Sequence, residues 1–298
     1  MLNVLITGAR GQLGLELLRL SALSPNRYTG AEHGELDIAD ARAVTAALAR
    51  GGYDAVVNCA AYTDVERAEA EEEAADRANR LGAANLAAAA AATGTFLIHL
   101  STDYVFDGRT WRPYTEEDVP APLGVYGRTK LAGEEAVRAS GCRHMILRTG
   151  WLYSEFGHNF LKTMLRLTAE RDEVKVVCDQ VGTPTYAGDL ALAIFSILES
   201  GRFAEHAGTY HFSDEGAASW YDFAVEIARA TDRGGCRIVP CRTEEYPTRA
   251  RRPACSLLDK TRFKRTFGIE IPHWRESLLY CLQRMSRASG APDSDKPL

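Results

Sequence analysis

The sequence predicts an α/β fold: a doubly wound parallel sheet of Rossmann type, followed by a smaller C-terminal α/β substrate lobe. Three observations predict it. Short apolar runs alternate with helical stretches through the first half of the chain. The first run leads into the glycine-rich turn Thr7-Gly8-Ala9-Arg10-Gly11-Gln12-Leu13-Gly14, which opens a helix. Beyond Trp151 the alternation gives way to a mixed pattern. Strands alternating with helices imply a parallel sheet covered on both faces. Right-handed crossovers then bring every strand's C-terminal end to one edge, where ligands bind.

Taken in order, strands are expected at residues 2–7, 27–30 (a weak one), 55–59, 95–101 and 144–149. Helices are expected at 14–20, at 41–49 and along one alanine-rich stretch, 68–92. The later part reads as a helix at 159–168, a strand at 174–178, a helix at 189–199 and a mixed α/β stretch to about residue 285. Residues 1–152 are thus read as a nucleotide-binding domain with a return segment at about 180–200, and residues 153–285 as the substrate lobe. Residues 288–298, rich in Gly, Pro, Ser and Asp, read as a disordered tail. No internal repeat is visible.

A chain of 298 residues can bury one substantial core, or a large and a small one. The net charge of −5 without a basic run argues against a nucleic-acid binder or a polybasic membrane anchor. No apolar stretch reaches bilayer length, and Met1 leads straight into the first strand without signal-peptide regions, so a cytoplasmic protein is expected. Seven cysteines, an odd number with no C-x-x-C pair, read as reduced thiols. Cys236 and Cys241 could share a zinc ion, but no His/Cys pair at finger spacing follows, and no metal centre is expected. Only six of the 35 basic residues are lysine, and alanine is abundant, which hints at a GC-rich genome.

The chemistry-bearing residues cluster at the expected strand ends: Gly8, Gly11, Gln12, Leu13 and Gly14; Asp37; Ala60, Ala61, Tyr62 and Thr63; Ser101, Thr102 and Asp103; and Thr149 to Trp151. A glycine turn at a helix N-terminus lets backbone N–H groups approach a pyrophosphate. Tyr126 and Lys130, four residues apart, share one helix face. Together these features point to a nicotinamide cofactor, NADPH or NADH, beside a proton donor. A carbonyl that accepts hydride at carbon needs a proton on oxygen, and Tyr126 can supply it if its phenol falls from about 10 towards neutrality. Lys130 is placed to lower it by roughly 1–3 units and to hold the nicotinamide ribose. Thr102 can hold the substrate oxygen or orient the phenol. The plainer alternative makes Tyr126 a packing aromatic and Lys130 a solvated helix residue. Asp37 could bind the adenine amino group or cap the next helix, for which Asp40 is better placed. Glu32, 18 residues past Gly14, suits the ribose of NAD, whereas Arg10 suits the 2′-phosphate of NADP.

On these motifs the chain resembles the dTDP-4-dehydrorhamnose reductases of the extended short-chain dehydrogenase/reductase superfamily, from residue 2 to about residue 284. The similarity rests on Asn58-Cys59-Ala60-Ala61-Tyr62-Thr63-Asp64-Val65, Ser101-Thr102-Asp103-Tyr104-Val105-Phe106-Asp107-Gly108, and Val125-Tyr126-Gly127-Arg128-Thr129-Lys130. In the second lobe it rests on Asn159-Phe160, Asp179-Gln180-Val181-Gly182-Thr183-Pro184-Thr185, Ser219-Trp220-Tyr221 and Arg252-Pro253 with Ser256. The resemblance implies reduction of the 4-keto group of dTDP-4-dehydro-L-rhamnose. Gly11, Gln12, Leu13, Asp37, Ile38, Ala61, Tyr62 and Thr63 would hold the cofactor, and Thr102, Tyr126 and Lys130 would be catalytic. Thr102, Asp103, Trp151, Asn159 and Arg252 would contact the nucleotide-sugar. For Trp151 a core aromatic, and for Arg252 a surface ion pair, are the alternatives.

Two departures stand out: Gly150 where the family usually has Ser, and Cys255 where Asn is common. They keep open a related dTDP-4-ketohexose reductase of an antibiotic pathway, such as dihydrostreptose synthase. A non-catalytic regulatory subunit, like the relative that partners methionine adenosyltransferase, is the alternative from another class. Glu16 and Asp189 match part of an acidic Mg²⁺ set of some members, but residues 283–292 offer no acidic partner. The expected state is a monomer or weak homodimer without a metal bridge.

Overall fold

Strand β1 (Asn3–Thr7) takes an interior position in a parallel sheet because Val4, Leu5 and Ile6 need cover on both faces, and each is 2% exposed or less. The computed structural model describes residues 1–231 and 235–288. β1 pairs in parallel with β2 (Arg27–Ala31) on one side and β3 (Ala55–Asn58) on the other. β4 (Phe96–Thr102) and β5 (His144–Thr149) extend the sheet, also in parallel. A sixth strand, Gly208–His211, pairs in parallel with β5 and closes that edge. Its four residues, Gly-Thr-Tyr-His, are too short and too polar to announce a strand, and the sequence pattern does not show it. The strand order reverses at β1, with β2 to one side and β3 to the other, which opens a crevice at the carboxyl ends there.

Two apolar layers cover the sheet. On one face Ile6, Val57, Ile98 and Leu147 pack with Leu13 and Leu17 and with Leu190, Ile194 and Ile197 of the later helix Ala187–Glu199. On the other, Leu5, Val56 and Leu97 pack with Val44, Leu48, Leu86 and Val137. Each fully buried Leu, Ile or Val contributes roughly 1.5–3 kcal/mol from removal of apolar surface from water. Asp40, not Asp37, caps the helix Ala41–Gly51: its Oδ1 accepts from Arg42 N (2.9 Å) and Ala43 N (3.0 Å).

The expected single helix over 68–92 is a correction. The chain forms Val65–Ala68, Glu72–Asp76, a π-helical turn Arg77–Leu81, and only then Gly82–Thr93. Alanine supplies helix propensity throughout and so gives no sign of where the pitch changes. The widened turn presents the buried Asn79 side chain to the loop after β3. Its Oδ1 accepts from Tyr62 N (2.9 Å), and its Nδ2 donates to Tyr62 O and to Thr129 Oγ1 (both 3.1 Å). Insertions of this kind frequently mark functional sites.

A second core holds Tyr153, Leu161, Met164, Val174, Tyr186, Phe223, Ile227, Trp274 and Leu278. It lies among the helices Phe160–Glu170, Trp220–Ala230 and Trp274–Ala288 and the paired strands Glu173–Val177 and Arg237–Cys241. The last helix includes Ala288, the first residue of the expected tail; the remainder of that tail lies outside the described residues. All seven cysteines are free. No helix among the described residues is long and apolar enough to cross a membrane.

Candidate active site

The carboxyl ends of β1, β3, β4 and β5 border one cavity of about 990 Å³, at the upper end of the range for ligand pockets, roughly 300–1,000 Å³. Gly8, Gly11, Gln12 and Leu13 form one wall, and Asp37, Ile38, Ala60, Ala61, Tyr62 and Thr63 continue it. Thr102, Asp103, Tyr126, Lys130 and Trp151 line the other end.

The glycine wall is built by close approach. Gly8 has φ +65°, and a Cβ there would fall 2.6 Å from Ala60 N, so any side chain would drive β1's turn off the loop after β3. Gly14 does not line the cavity; it lets the helix Gln12–Ser21 seat on the turn, where a Cβ would meet Gly8 O at 2.5 Å. That helix has no side-chain cap, so its first N–H groups and the positive end of its dipole are left for an anion. Gln12 is braced from the second lobe: its Oε1 accepts from Ser154 Oγ and Asn159 Nδ2, both at 2.9 Å.

Farther along, Asp37 Oδ1 accepts from Ala39 N (2.9 Å) and Oδ2 from Arg77 Nη2 (2.7 Å). Burial raises its carboxyl, but those two partners outweigh it and hold the group below the usual range. Glu32 does not line the cavity; its Oε2 pairs with Arg10 Nε at 2.5 Å. The two residues that separately suggested NADH and NADPH therefore neutralise each other.

At the other end, Lys130 is 2% exposed and donates from Nζ to Leu100 O at 2.5 Å. Burial pushes its ammonium down to about 8, against an opposing pull from Glu134. Burial pushes the Tyr126 phenol up to about 12; the neighbouring Thr102 hydroxyl acts the other way, and Asp103 adds to the rise. This corrects the expectation that Lys130 pulls the phenol towards neutrality. The ammonium turns to the Leu100 carbonyl, and enclosure dominates at the phenol. Tyr126 is accordingly held as a neutral O–H, the form that can donate a proton. Thr102 Oγ1 donates to Asp103 Oδ1 (3.0 Å) and accepts from Tyr104 N (3.2 Å).

Asp103 is buried and its carboxyl is pushed up to about 6 by desolvation, with Ser256 and Thr102 opposing. Gly150 makes room for it: a Cβ at 150 would lie 2.5 Å from Asp103 Cγ and 2.6 Å from Oδ2. Thr149 Oγ1, also on the cavity wall, is buried without a hydrogen-bond partner. Trp151 adopts φ +51°, which costs about 1–3 kcal/mol for a residue with a side chain. Its indole stacks on Trp220 with centroids 3.5 Å apart and planes 2° from parallel, and such pairs return about 0.5–1.5 kcal/mol beyond their burial. Ser219 caps the helix Trp220–Ala230 through a capping box with Asp222, which sets Trp220 at its first position.

Two expected substrate residues do not border the cavity and are engaged by other partners. Asn159 caps the helix Phe160–Glu170 through Lys162 N (3.1 Å), and its amide is spent on Gln12, Ser154 O and Phe156 O. Arg252 pairs with Glu66 at 2.6 Å and does not itself border the cavity, while its charge acts on Tyr104, which does. Sequence reasoning in turn missed His158, Arg77 and Trp220 as lining residues. Trp220 directly after a Ser cap was a legible signal; Arg77 depended on the unforeseen π turn.

The whole chain has close relatives. Residues 2–287 match the RmlD substrate binding domain family. A dTDP-4-dehydrorhamnose reductase of Sinorhizobium fredii is 42% identical over 282 residues, 93% of this chain and 95% of that one. The crystal structure of a dTDP-4-dehydrorhamnose reductase from Clostridium acetobutylicum superposes with a TM-score of 0.91 at 40% identity, covering 96% of this chain and all of that one. A Bacillus anthracis dTDP-4-dehydrorhamnose reductase, solved in complex with NADP, gives 0.91 at 36% identity, covering 95% of this chain and all of that one. With Thr102, Tyr126 and Lys130 lining the same cavity as the glycine turn, and with relatives of this closeness over nearly its full length, the chain belongs to the dTDP-4-dehydrorhamnose reductase family.

Proposed function

We propose that the protein is an NAD(P)H-dependent oxidoreductase that reduces the 4-keto group of dTDP-4-dehydro-L-rhamnose to give dTDP-L-rhamnose. The observation that carries this reading is the convergence of Thr102, Tyr126 and Lys130 on one cavity with the uncapped helix N-terminus at Gln12. The residues present fit a dinucleotide: the Gly8 approach leaves no room for a side chain, and free N–H groups meet the pyrophosphate. When bound, the cofactor supplies hydride to the carbonyl carbon. Tyr126 donates the proton to the carbonyl oxygen from its neutral phenol, Thr102 orients that phenol, and Lys130 holds the nicotinamide ribose. Asp103 accepts a sugar hydroxyl, and the Trp151–Trp220 stack walls the sugar end.

The test is to incubate the protein with dTDP-4-dehydro-L-rhamnose and NADPH, follow loss of nicotinamide absorbance, and identify the product by NMR. dTDP-L-rhamnose is expected. A different sugar would transfer the reading to a related 4-ketohexose reductase, and no turnover of either would overturn it. A monomeric or weakly dimeric protein of the cytoplasm is in keeping with the reading.

Both cofactors should be used, with NADPH moderately preferred. Glu32→Ala frees Arg10 from its ion pair, so the guanidinium can take the 2′-phosphate. The ratio of kcat/KM for NADPH over NADH should rise about 3- to 10-fold, the scale of a solvent-exposed charge worth roughly 1 kcal/mol. An unchanged ratio in steady-state kinetics would remove the Arg10–Glu32 pair from the cofactor site.

A further inference from the structure

Lys130 places an ammonium in the protein interior, where an unpaired charge is costly. Few charges surround it. Cys59, at the end of β3, is pushed up to about 12 by burial, and His99 of β4 is pushed well below its ordinary value by burial and by Lys130 itself, so both are neutral near pH 7. Tyr126, one helical turn earlier, is neutral too, and Asp103 acts on that phenol. Glu134, one turn later on the same face of the helix Val125–Ala139, is left as the opposite charge that acts on Lys130; the two side chains hold adjacent residues of β4, Lys130 through Leu100 O and Glu134 through Ser101.

Glu134 is fully buried and heavily held. Its Oε1 accepts from Ser101 Oγ (2.5 Å) and Arg148 Nε (2.8 Å), and its Oε2 from Arg148 Nη2 (2.7 Å) and Arg138 Nη2 (2.6 Å). Burial raises its carboxyl, but Arg148, Ser101 and Arg138 more than offset this and bring it to about 2. Arg148 is locked in turn: its guanidinium lies 5.1 Å over the Phe106 ring, and Nη1 is 3.4 Å from Nε2 of His211. Burial and Arg148 push His211 down to about 3, so it adds no opposing charge. Through Ser101 the same carboxylate grips the end of β4, next to Thr102.

We propose that Glu134 is the positioning residue of this site: a locked, buried carboxylate that keeps Lys130 charged and tethers the strand end carrying Thr102. The proposal rests on the reading that Lys130 acts at the cofactor. It makes the sequence Tyr126, Lys130, Glu134 one functional row at four-residue spacing, with Arg148 as its anchor from β5.

NMR of protein labelled at the lysine ε-carbon tests this without substrate or cofactor. The chain has only six lysines, and loss of one signal in Lys130→Arg assigns Lys130. In the wild type Lys130 should titrate near pH 8. In Glu134→Gln its midpoint should fall by about one unit or more, whereas Glu134→Asp, which keeps the charge, should hold it near the wild-type value. Glu134→Gln strands Arg148, a destabilising change. If that variant is poorly folded, Glu134→Gln/Arg148→Met relieves the stranded guanidinium; loss of the Arg148 cation raises Lys130 in part, so a smaller fall in the same direction is expected. In turnover the alkaline limb of kcat should move to lower pH by the same amount, because the ammonium is lost as pH rises through its midpoint. An unmoved Lys130 midpoint in the folded Gln variants would overturn the proposal. A normal Lys130 shift without reduction of any 4-keto sugar would instead sink the functional reading alone.

Discussion

Tyr126→Phe is expected to lower kcat by at least ~10²-fold, the usual worth of a positioned general acid, while leaving NADPH affinity close to that of the wild type. The ring packs edge-on against Tyr104, with centroids 5.6 Å apart, and phenylalanine keeps that contact. What is lost is the hydroxyl beside Thr102 that burial holds as a neutral O–H, at about 12. Since the phenol stays protonated across the working range, the alkaline decline of the wild-type enzyme should follow Lys130, near 8, rather than Tyr126. Steady-state kinetics with cofactor binding by fluorescence titration separates the two effects. Turnover near the wild-type level would remove Tyr126 as the acid.

The second large effect is expected at Gly150. From sequence alone, Gly150→Ser would restore a hydroxyl that the family usually carries. The geometry predicts a steric outcome instead. The new Cβ would fall 2.5 to 2.8 Å from Cγ and both oxygens of Asp103, so the carboxyl group must move. Asp103 Oδ1 takes the Thr102 hydroxyl at 3.0 Å, and displacement of one disturbs the other. A misplacement of about 1 Å among such groups costs on the order of 10²-fold, and kcat/KM for the 4-keto sugar should fall on that scale. Gly150→Ala separates size from hydroxyl chemistry: it should match the Ser variant if crowding is the cause. Should Ser retain full activity or change the product while Ala does not, Asp103 can yield and the hydroxyl is what matters. The NAD(P)H-binding wall, built from other strand ends, should be untouched by either variant.

Much of this was legible in the chain itself because it is local. A glycine turn between an apolar strand and a helix, or Tyr126 and Lys130 at four-residue spacing, carries its geometry within a few residues. Strands β1, β3, β4 and β5 were likewise readable, since a strand buried on both faces is a continuous apolar run; β2, a half-exposed edge strand, was only weakly so. Partnership through space was not. Glu32 with Arg10, Arg252 with Glu66, and Asn159 with Gln12 each join elements that the sequence cannot bring together, and each gives a residue a partner the sequence did not show. The π turn at Arg77–Leu81 was hidden by alanine, which favours every turn of that stretch equally.

Sequence alone therefore determined the fold class, the sheet edge where the cavity opens, and the meeting of Thr102, Tyr126 and Lys130 there. Tertiary structure alone decided their charge states and the fit around them: the raised phenol of Tyr126, the ammonium of Lys130 depressed by burial and supported by Glu134, and the space at Gly150 for Asp103. The division has a physical cause. Backbone conformation follows from short-range sterics and periodicity, whereas protonation depends on desolvation and on charges a few ångströms away, which come from any part of the chain.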